Sequence, residues 1–522
     1  MGDEPLRDDL AEVLRRRALT EDAGRPDAVA KRHAANARTA RENLADLVDD
    51  GSFVEYGRFA IAAQRQRRDL ADLIARTPAD GLIGGTGRIN GDLFGEAAST
   101  CAVLSYDYTV LAGTQGALGH RKKDRLFELI ERMRLPTVFF AEGGGGRPGD
   151  TDYPAVSSLQ TRAFKLWAAL SGVVPRIAVV HGRCFAGNAV IAGCADLIVA
   201  TENTSIGMGG PAMIAGGGLG DVPPDEVGPI GVQEPNGVVD VVVADEAEAV
   251  AVTKRLLGYF QGATAPGPVS DQKPLRTMVP ERARRAYQVQ PIIETLADAG
   301  SVTMLRPRFA PEMVTALARI DGRAVGVIAN NTMVMAGAIT ARAADKAARF
   351  LQLCDAFGLP VVSLVDCPGY MVGPAAESEA LVRRASRMLV AGASLDVPLV
   401  AVILRRGYGL GAQAMVGGSM HEPVLTVAWA GAHLGPMGLE GAVRLGLRKE
   451  LEAIADADER EQRVREATAA AQENAKALNA AALFEIDDVI DPAETRDVIV
   501  NTLAAACARA PQRVGRRFVD TW

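Results

Sequence analysis

Histidine and cysteine are scarce in this chain, and each shortage narrows the chemistry open to it. Five histidines are scattered over 522 residues with none paired at metal spacing, there is no H-E-x-x-H, and no metal is expected on this chain. The closest of the six cysteines, Cys184 and Cys194, lack C-x-x-C spacing. A zinc ribbon or disulfide framework is therefore not expected, and a reducing compartment fits. No apolar run approaches the ~18 residues of a membrane span. The opening MGDEPLRDDLAEVLRRR lacks the apolar centre of a signal peptide, and Leu6 stands where a myristoylation pattern needs Ser or Thr. A cytoplasmic protein is expected. The net charge of −7 argues against nucleic acid or an anionic membrane as the main partner. Catalytic signatures are missing too. There is no G-x-x-x-x-G-K-[ST] phosphate loop and no G-x-S-x-G elbow. GGTGRING carries only G-x-G, and its Asn90-Gly91 reads as a hairpin, so dinucleotide binding is not supported.

What the chain does have is 54 glycines and a pattern written twice. IGGTGRING (83–91) and VTALARIDG (314–322) both read as hairpin openings, because Asn-Gly and Asp-Gly tolerate positive φ. The stretch VLAGTQGALGHRKKDRLFELIERMRLPTVFFAEGGGG (110–146) aligns with VMAGAITARAADKAARFLQLCDAFGLPVVSLVDCPGY (334–370). Each holds an Ala-Gly pair, an amphipathic helix, Leu-Pro, and a continuous apolar strand of the kind buried on both faces. Pro136 and Pro360 are offset by 224, Pro175 and Pro398 by 223. The reading is two α/β domains of one fold, 20–265 and 285–505, joined by GATAPGPVSDQKP. Beyond MGLEGAV, the stretch LRKELEAIADADEREQRVREATAAAQENAKALNAAA (447–482) is expected to be one long surface helix.

The repeat puts a special loop in each half: Ala186-Gly187-Asn188 in HGRCFAGNAV, and Gly409-Leu410-Gly411 in RRGYGLGAQAM. Each follows a buried strand and precedes small residues able to start a helix. The first amides of a helix have no internal acceptor, and the dipole there favours negative charge. Two such amides make an oxyanion hole, which stabilises an enolate without any acidic or nucleophilic side chain. Glycine turns between strand and helix also occur for purely architectural reasons; their recurrence at equivalent places favours function. Gly143 to Gly146 with Arg147 form a second glycine segment, able to meet a phosphate or carbonyl or to serve as a mobile loop. His181 is read as structural. Glu142 and Asp366, equivalent strand ends, are read as capping the turns that follow.

These motifs resemble the carboxyltransferase (β) subunit of biotin-dependent acyl-CoA carboxylases, the propionyl- and methylcrotonyl-CoA carboxylase type. The likeness runs over nearly the whole chain, through ARENLADLVDDGSFVEYG, RIDGRAVGVIANN, DKAARFLQLCDAFGLPVVSLVDCPGY, MGLEGAV and IDDVIDPAETRDVI. The resemblance implies two tandem crotonase-like (ClpP/crotonase) domains of α/β class related by duplication. It also implies a homohexamer, a trimer of dimers, with active sites shared across dimer interfaces. The first domain would hold an acyl-CoA and the second the carboxybiotin carried by a separate subunit. A carboxyl group would pass to the α (or vinylogous γ) carbon through an enolate, with no side-chain base.

By motif position, the resemblance assigns Gly187 and Asn188 to the thioester enolate and Leu410 and Gly411 to the biotin ureido oxygen. Gly144, Gly145, Gly146, Arg147, Ala186, Gly207 and Gly209 would contact substrate, and Gly369, Tyr370, Gly409 and Ala412 biotin. The chain has no A-M-K-M biotinylation motif and no ATP-grasp region. A partner α subunit with biotin carboxylase and biotin carboxyl carrier functions is therefore implied.

Departures bear on the acyl chain and on activity. Asn188 replaces a second glycine, EGGGGR stands for SGGAR, and NAKALN for the usual NPY region. GYGLGAQAM is closer in spacing to methylcrotonyl- and geranyl-type subunits than to the propionyl-type AYGGAY, which favours a branched or unsaturated acyl group. The segment 207–229 would shape the acyl or pantetheine channel. An acyl-CoA decarboxylase subunit and a non-catalytic paralogue are the alternatives.

Overall fold

The computed structural model describes residues 6–153, 156–157, 159–282, 285–509 and 517–522. It divides into two compact units at Gly262–Ala263, inside the GATAPGPVSDQKP stretch.

The first unit is built on a seven-stranded sheet. Its strands are β1 (Val54–Glu55), β2 (Leu82–Arg88), β3 (Thr100–Tyr106), β4 (Thr137–Phe140), β5 (Arg176–Val180), β7 (Leu197–Thr201) and β9 (Val241–Val243), ordered β1-β2-β3-β4-β5-β7-β9. β6 (Arg183–Phe185) and β8 (Ser205–Gly207) pair separately, in parallel. From β3 onward every neighbour in the large sheet is parallel. All residues of β4, β5 and β7 are buried, as expected for strands covered on both faces. Helix α1 (Ala117–Met133) connects β3 to β4, and its apolar side meets the sheet through Leu126, Phe127 and Ile130. Tyr106, Phe127, Phe139 and Trp167 stack beneath it, with centroids 5.1–6.4 Å apart. The Trp167 indole donates to the Ile191 carbonyl at 2.8 Å, fastening this cluster to α2 (Gly187–Gly193), the short helix after the first special loop.

The second unit repeats the plan. Its strands are β10 (Thr303–Leu305), β11 (Met313–Ile320), β12 (Arg323–Asn330), β13 (Val361–Cys367), β14 (Leu399–Tyr408), β15 (Leu425–Trp429), β16 (His433–Gly435) and β17 (Asp488–Ile490). The sheet runs β10-β11-β12-β13-β14-β15-β17, parallel from β12 on, with β16 beside the far end of β14. Helix α3 (Ala341–Phe357) matches α1, and α4 (Gly409–Met415) matches α2.

Two expectations need correction. Asp321-Gly322, both at positive φ, closes β11 onto β12 as a tight two-residue hairpin. Asn90-Gly91 does not: the β2–β3 connection runs from Ile89 to Ser99, and the Asn90 amide donates to the Lys254 carbonyl and Gln261 instead. The proposed long helix over 447–482 is broken into Arg448–Ala453, Ala457–Asn474 and Ala477–Ala482. Asp456 is the reason for one break, since its side chain caps the amides of Asp458 and Glu459 and starts a new helix. Among the described residues no helix is long and apolar enough to cross a membrane.

Candidate active site: two equivalent strand-turn-helix loops

The first special loop joins β6, and the second β14, to a seven-residue helix. In the first unit Ala186 holds φ 52° and ψ −123°, a conformation L-residues seldom adopt; its counterpart Gly409 holds φ 59°. The Ala186 amide donates to the Gly207 carbonyl at 3.0 Å, placing Gly207 beside the turn. Gly209 leads from there into the helix Pro211–Gly216. Among the described residues the amides of Gly187 and Asn188 donate to no other group, and the same holds for Leu410 and Gly411. Each loop therefore ends in a pair of free backbone donors.

A second turn faces each loop. Leu111-Ala112-Gly113 and Met335-Ala336-Gly337 both run through three consecutive positive φ values, including the non-glycine pairs Leu111/Ala112 and Met335/Ala336. These are the Ala-Gly pairs seen in the sequence. A Cβ on Gly113 would lie 2.7 Å from the Glu142 carbonyl oxygen, and one on Gly337 2.9 Å from that of Asp366, so glycine lets the turns touch the strand ends. The segment 143–146 lies in the same place as 367–370. Gln115 bridges to Gly146 as Ile339 bridges to Tyr370. Gly145 sits at φ 90°, with room for no Cβ against Ala186; Gly369 sits at φ 125°.

The two halves differ in how the turn is held. In the second unit Asn330 of β12 donates to Gly337 O at 3.0 Å and accepts the Asp366 amide at 3.2 Å. In the first unit that strand position is Tyr106, and Asn188 takes over from the opposite side. The Asn188 side-chain Nδ2 donates to the carbonyls of Gly113 and Glu142 at 3.3 Å, while its Oδ1 accepts from the Gly145 backbone amide and Gln115 Nε2 at 3.1 Å. It is wholly buried with every valence used. The asparagine that departs from a glycine thus locks segment 143–146 to the loop. At the equivalent Gly411 no side chain fits: a Cβ would lie 2.7 Å from Gly369 C and 2.9 Å from Cys367 Sγ. Ala412 is buried behind it, Leu410 points outward at 64% exposure, and the Tyr370 hydroxyl reaches the Ala385 carbonyl at 3.4 Å.

Three charged residues are placed differently from the sequence reading. Arg147 offers no free charge: its guanidinium pairs with Asp80 at 2.5 Å and donates to Thr114 O at 2.8 Å, with its side chain 4% exposed. Burial pushes the Asp80 carboxyl up, opposed by that guanidinium. Glu142 and Asp366 do not cap turns. Glu142 takes both arms of Arg32, at 3.0 and 2.5 Å, beside His181, whose Nδ1 lies 3.0 Å from Glu246. Asp366 takes Arg405 at 2.9 Å and Arg406 at 2.5 Å. Replacing Arg147 by Met is expected to cost about 3–5 kcal/mol, because it strands a buried carboxylate. Denaturant unfolding checks this; unchanged stability with weakened acyl-CoA affinity would return the guanidinium to a ligand.

The comparisons with known proteins decide the family. The carboxyl transferase domain matches residues 31–518. This chain belongs to the carboxyl transferase family. It is 32% identical to the methylmalonyl-CoA carboxyltransferase 12S subunit of Propionibacterium freudenreichii subsp. shermanii, over 97% of this chain and 96% of that protein. It is 33% identical to the biotin-dependent long chain acyl-coenzyme A carboxylase beta4 subunit of Mycobacterium tuberculosis, over 84% and 83%. Among solved structures it resembles a single-chain, multi-domain long-chain acyl-CoA carboxylase at 56% identity and TM-score 0.91, over 96% of this chain. The match takes up 49% of that larger protein. The transcarboxylase 12S structure, a hexamer assembly with methylmalonyl-CoA bound, matches at 30% identity and TM-score 0.86, over 100% and 99%. The carboxyl transferase chain is thus an enzyme of the biotin-dependent acyl-CoA carboxylase and transcarboxylase group, built as two crotonase-type units.

Proposed function

We propose that this chain is the carboxyltransferase component of a long-chain acyl-CoA carboxylase, with the first unit holding the acyl-CoA and the second the biotin. One observation carries the reading: two equivalent turns, each with a positive-φ residue and a pair of free amides. The thiol beside the second turn, Cys367, is no ready nucleophile, because burial pushes it up to about 12. The amides of Gly187 and Asn188 would stabilise the thioester enolate oxygen, and the closely packed segment 143–146 would flank the thioester. The amides of Leu410 and Gly411 suit a ureido oxygen, since they are neutral donors in a cradle too tight for a Cβ at Gly411. Carboxybiotin, when bound, supplies the carboxyl group and the base, so this chain's part is to orient and to stabilise negative charge. The acyl chain is read from the 56% likeness to a long-chain enzyme rather than from the spacing of one loop.

In this reading the chain works with a biotin-bearing partner and in a homohexamer like the hexamer assembly named for transcarboxylase 12S. Co-purification with native partners, probed for biotin, followed by an acyl-CoA panel with ATP and labelled bicarbonate, tests the reading. Label fixed on long-chain thioesters is expected. A biotinylated partner with label on none would turn the reading toward decarboxylation, and no partner with no turnover toward a non-catalytic role.

A further inference from the structure

Two consecutive lysines lie on the buried side of α1, and the duplication separates their roles. Lys122 has a twin. Its ammonium donates to the carbonyls of Ala79 and Leu82, as Lys346, 224 residues on, donates to those of Arg306, Phe309 and Met313 at 2.7–2.8 Å. That cage belongs to the shared architecture. Lys123 has no twin: its counterpart is Ala347, also buried, so the fold itself needs no cation there.

Lys123 is 0% exposed, and among the described residues it has no carboxylate at ion-pair distance. Its ammonium donates to Gln115 Oε1 at 2.5 Å and to the Tyr106 hydroxyl at 3.0 Å, and lies over the Tyr106 and Phe164 rings. All the partners are particular to this unit as well, since Tyr106 and Gln115 correspond to Asn330 and Ile339. Donation from Lys123 fixes which end of Gln115 is oxygen. Its NH2 must then face Asn188 Oδ1 at 3.1 Å, and this in turn aims the Asn188 side-chain Nδ2 at the carbonyls of Gly113 and Glu142. A Cβ on Gly187 would lie 2.8 Å from Gln115 Nε2, so the chain of bonds ends directly behind the free amides.

We propose that the Lys123 ammonium is a positioning group for the first hole, ordering Gln115, Asn188 and the Gly145 amide, so that carboxyl transfer depends on its proton. The inference rests on the reading of that hole given under Proposed function. Burial pushes the ammonium down to about 7, with Asp124 and Asp80 opposing the fall. The charged or titratable groups around it are His120 and Asp124 on its own helix, Tyr106 on β3, Cys184 on β6 beside Tyr106, and the Asp80–Arg147 pair. Above that pH the bond to Gln115 loses its charge assistance, and the positive potential behind the hole disappears. Activity is therefore expected to fall as pH rises through about 7. Stability moves the other way: an ammonium held below its unfolded value of about 10.4 leaves the unfolded chain binding more protons, so folding strengthens between about pH 7 and 10.

The test is single-turnover transfer from the carboxylated partner to the acyl-CoA, in the complete complex, from about pH 6 to 9, with thermal unfolding alongside. The wild type is expected to lose roughly fivefold or more in rate across this range while its unfolding temperature holds or rises. Lys123→Met should sit near the wild type's high-pH rate throughout, without the limb and with acyl-CoA KM changed less than about twofold. Lys123→Arg, charged at every pH used, should push the limb out of range. A limb that persists unchanged in Lys123→Arg overturns the proposal, as does wild-type behaviour in Lys123→Met; if the Met variant does not fold, the Arg profile decides alone. A wild type that transfers to no thioester removes the reading of the hole, and this inference with it.

Discussion

Gly411→Ala is expected to lose carboxyl transfer by about 10²–10³-fold while acyl-CoA binding is kept. The reason is steric and local. Gly411 has ordinary negative φ, so alanine adds no backbone strain, but its methyl would stand 2.7 Å from Gly369 C, 2.8 Å from Gly369 Cα and 2.9 Å from Cys367 Sγ. Two of these are backbone atoms, held because the Gly369 carbonyl accepts the Ile339 amide at 3.1 Å and the Met371 amide donates back to Ile339 at 2.9 Å. The turn has to open, and the amides of Leu410 and Gly411 move with it. Gly431→Ala, where the added methyl meets nothing within 4 Å, serves as the control. Equal rates in the two variants would show that the second loop does not hold the reacting group.

Asn188→Leu acts on the other unit and shows first in stability. Leucine is close in size but leaves the Gly145 amide, the Gln115 side chain and the Gly113 and Glu142 carbonyls without their partner. A buried orphan costs about 1–3 kcal/mol, and the carbonyls retain other lone pairs, so the sum is on the order of 3–5 kcal/mol. The freed segment 143–146 is also expected to lower the transfer rate, because it no longer braces the turn at Ala186. Denaturant unfolding and single-turnover rates check the two parts. A stable variant with a normal rate would mean that the asparagine merely fills space.

The duplication was legible because strands buried on both faces leave unbroken apolar runs, and the Ala-Gly pairs and Leu-Pro stops recur at fixed offsets. Both special loops were legible for the same reason. The tight turn at Asp321-Gly322 follows from its dipeptide, whereas Asn90-Gly91 carries the same signal and makes no tight turn: β2 and β3 still pair antiparallel, but across a long connection, since Lys254 and Gln261 recruit the asparagine from far along the chain. Long-range partners also decided Arg147, Glu142 and Asp366: the sequence shows a charge near a glycine segment, but not the Asp80, Arg32 or Arg405 that consumes it. Ala186 at φ 52° was hidden because nothing local marks an alanine held in a glycine conformation. Asn188, which stands in place of a glycine, braces the segment 143–146 through its side chain. The available signal was its twin: where one half has Asn330 and Gly411, the other has Tyr106 and Asn188.

The division of labour between the two holes is tested most directly by an experimental structure of the complex with a long-chain acyl-CoA and a biotinylated partner. The account predicts the thioester oxygen within hydrogen-bond distance of the Gly187 and Asn188 amides, and the biotin ureido oxygen on those of Leu410 and Gly411. A thioester oxygen seated on Leu410 and Gly411, or on neither pair, would contradict it.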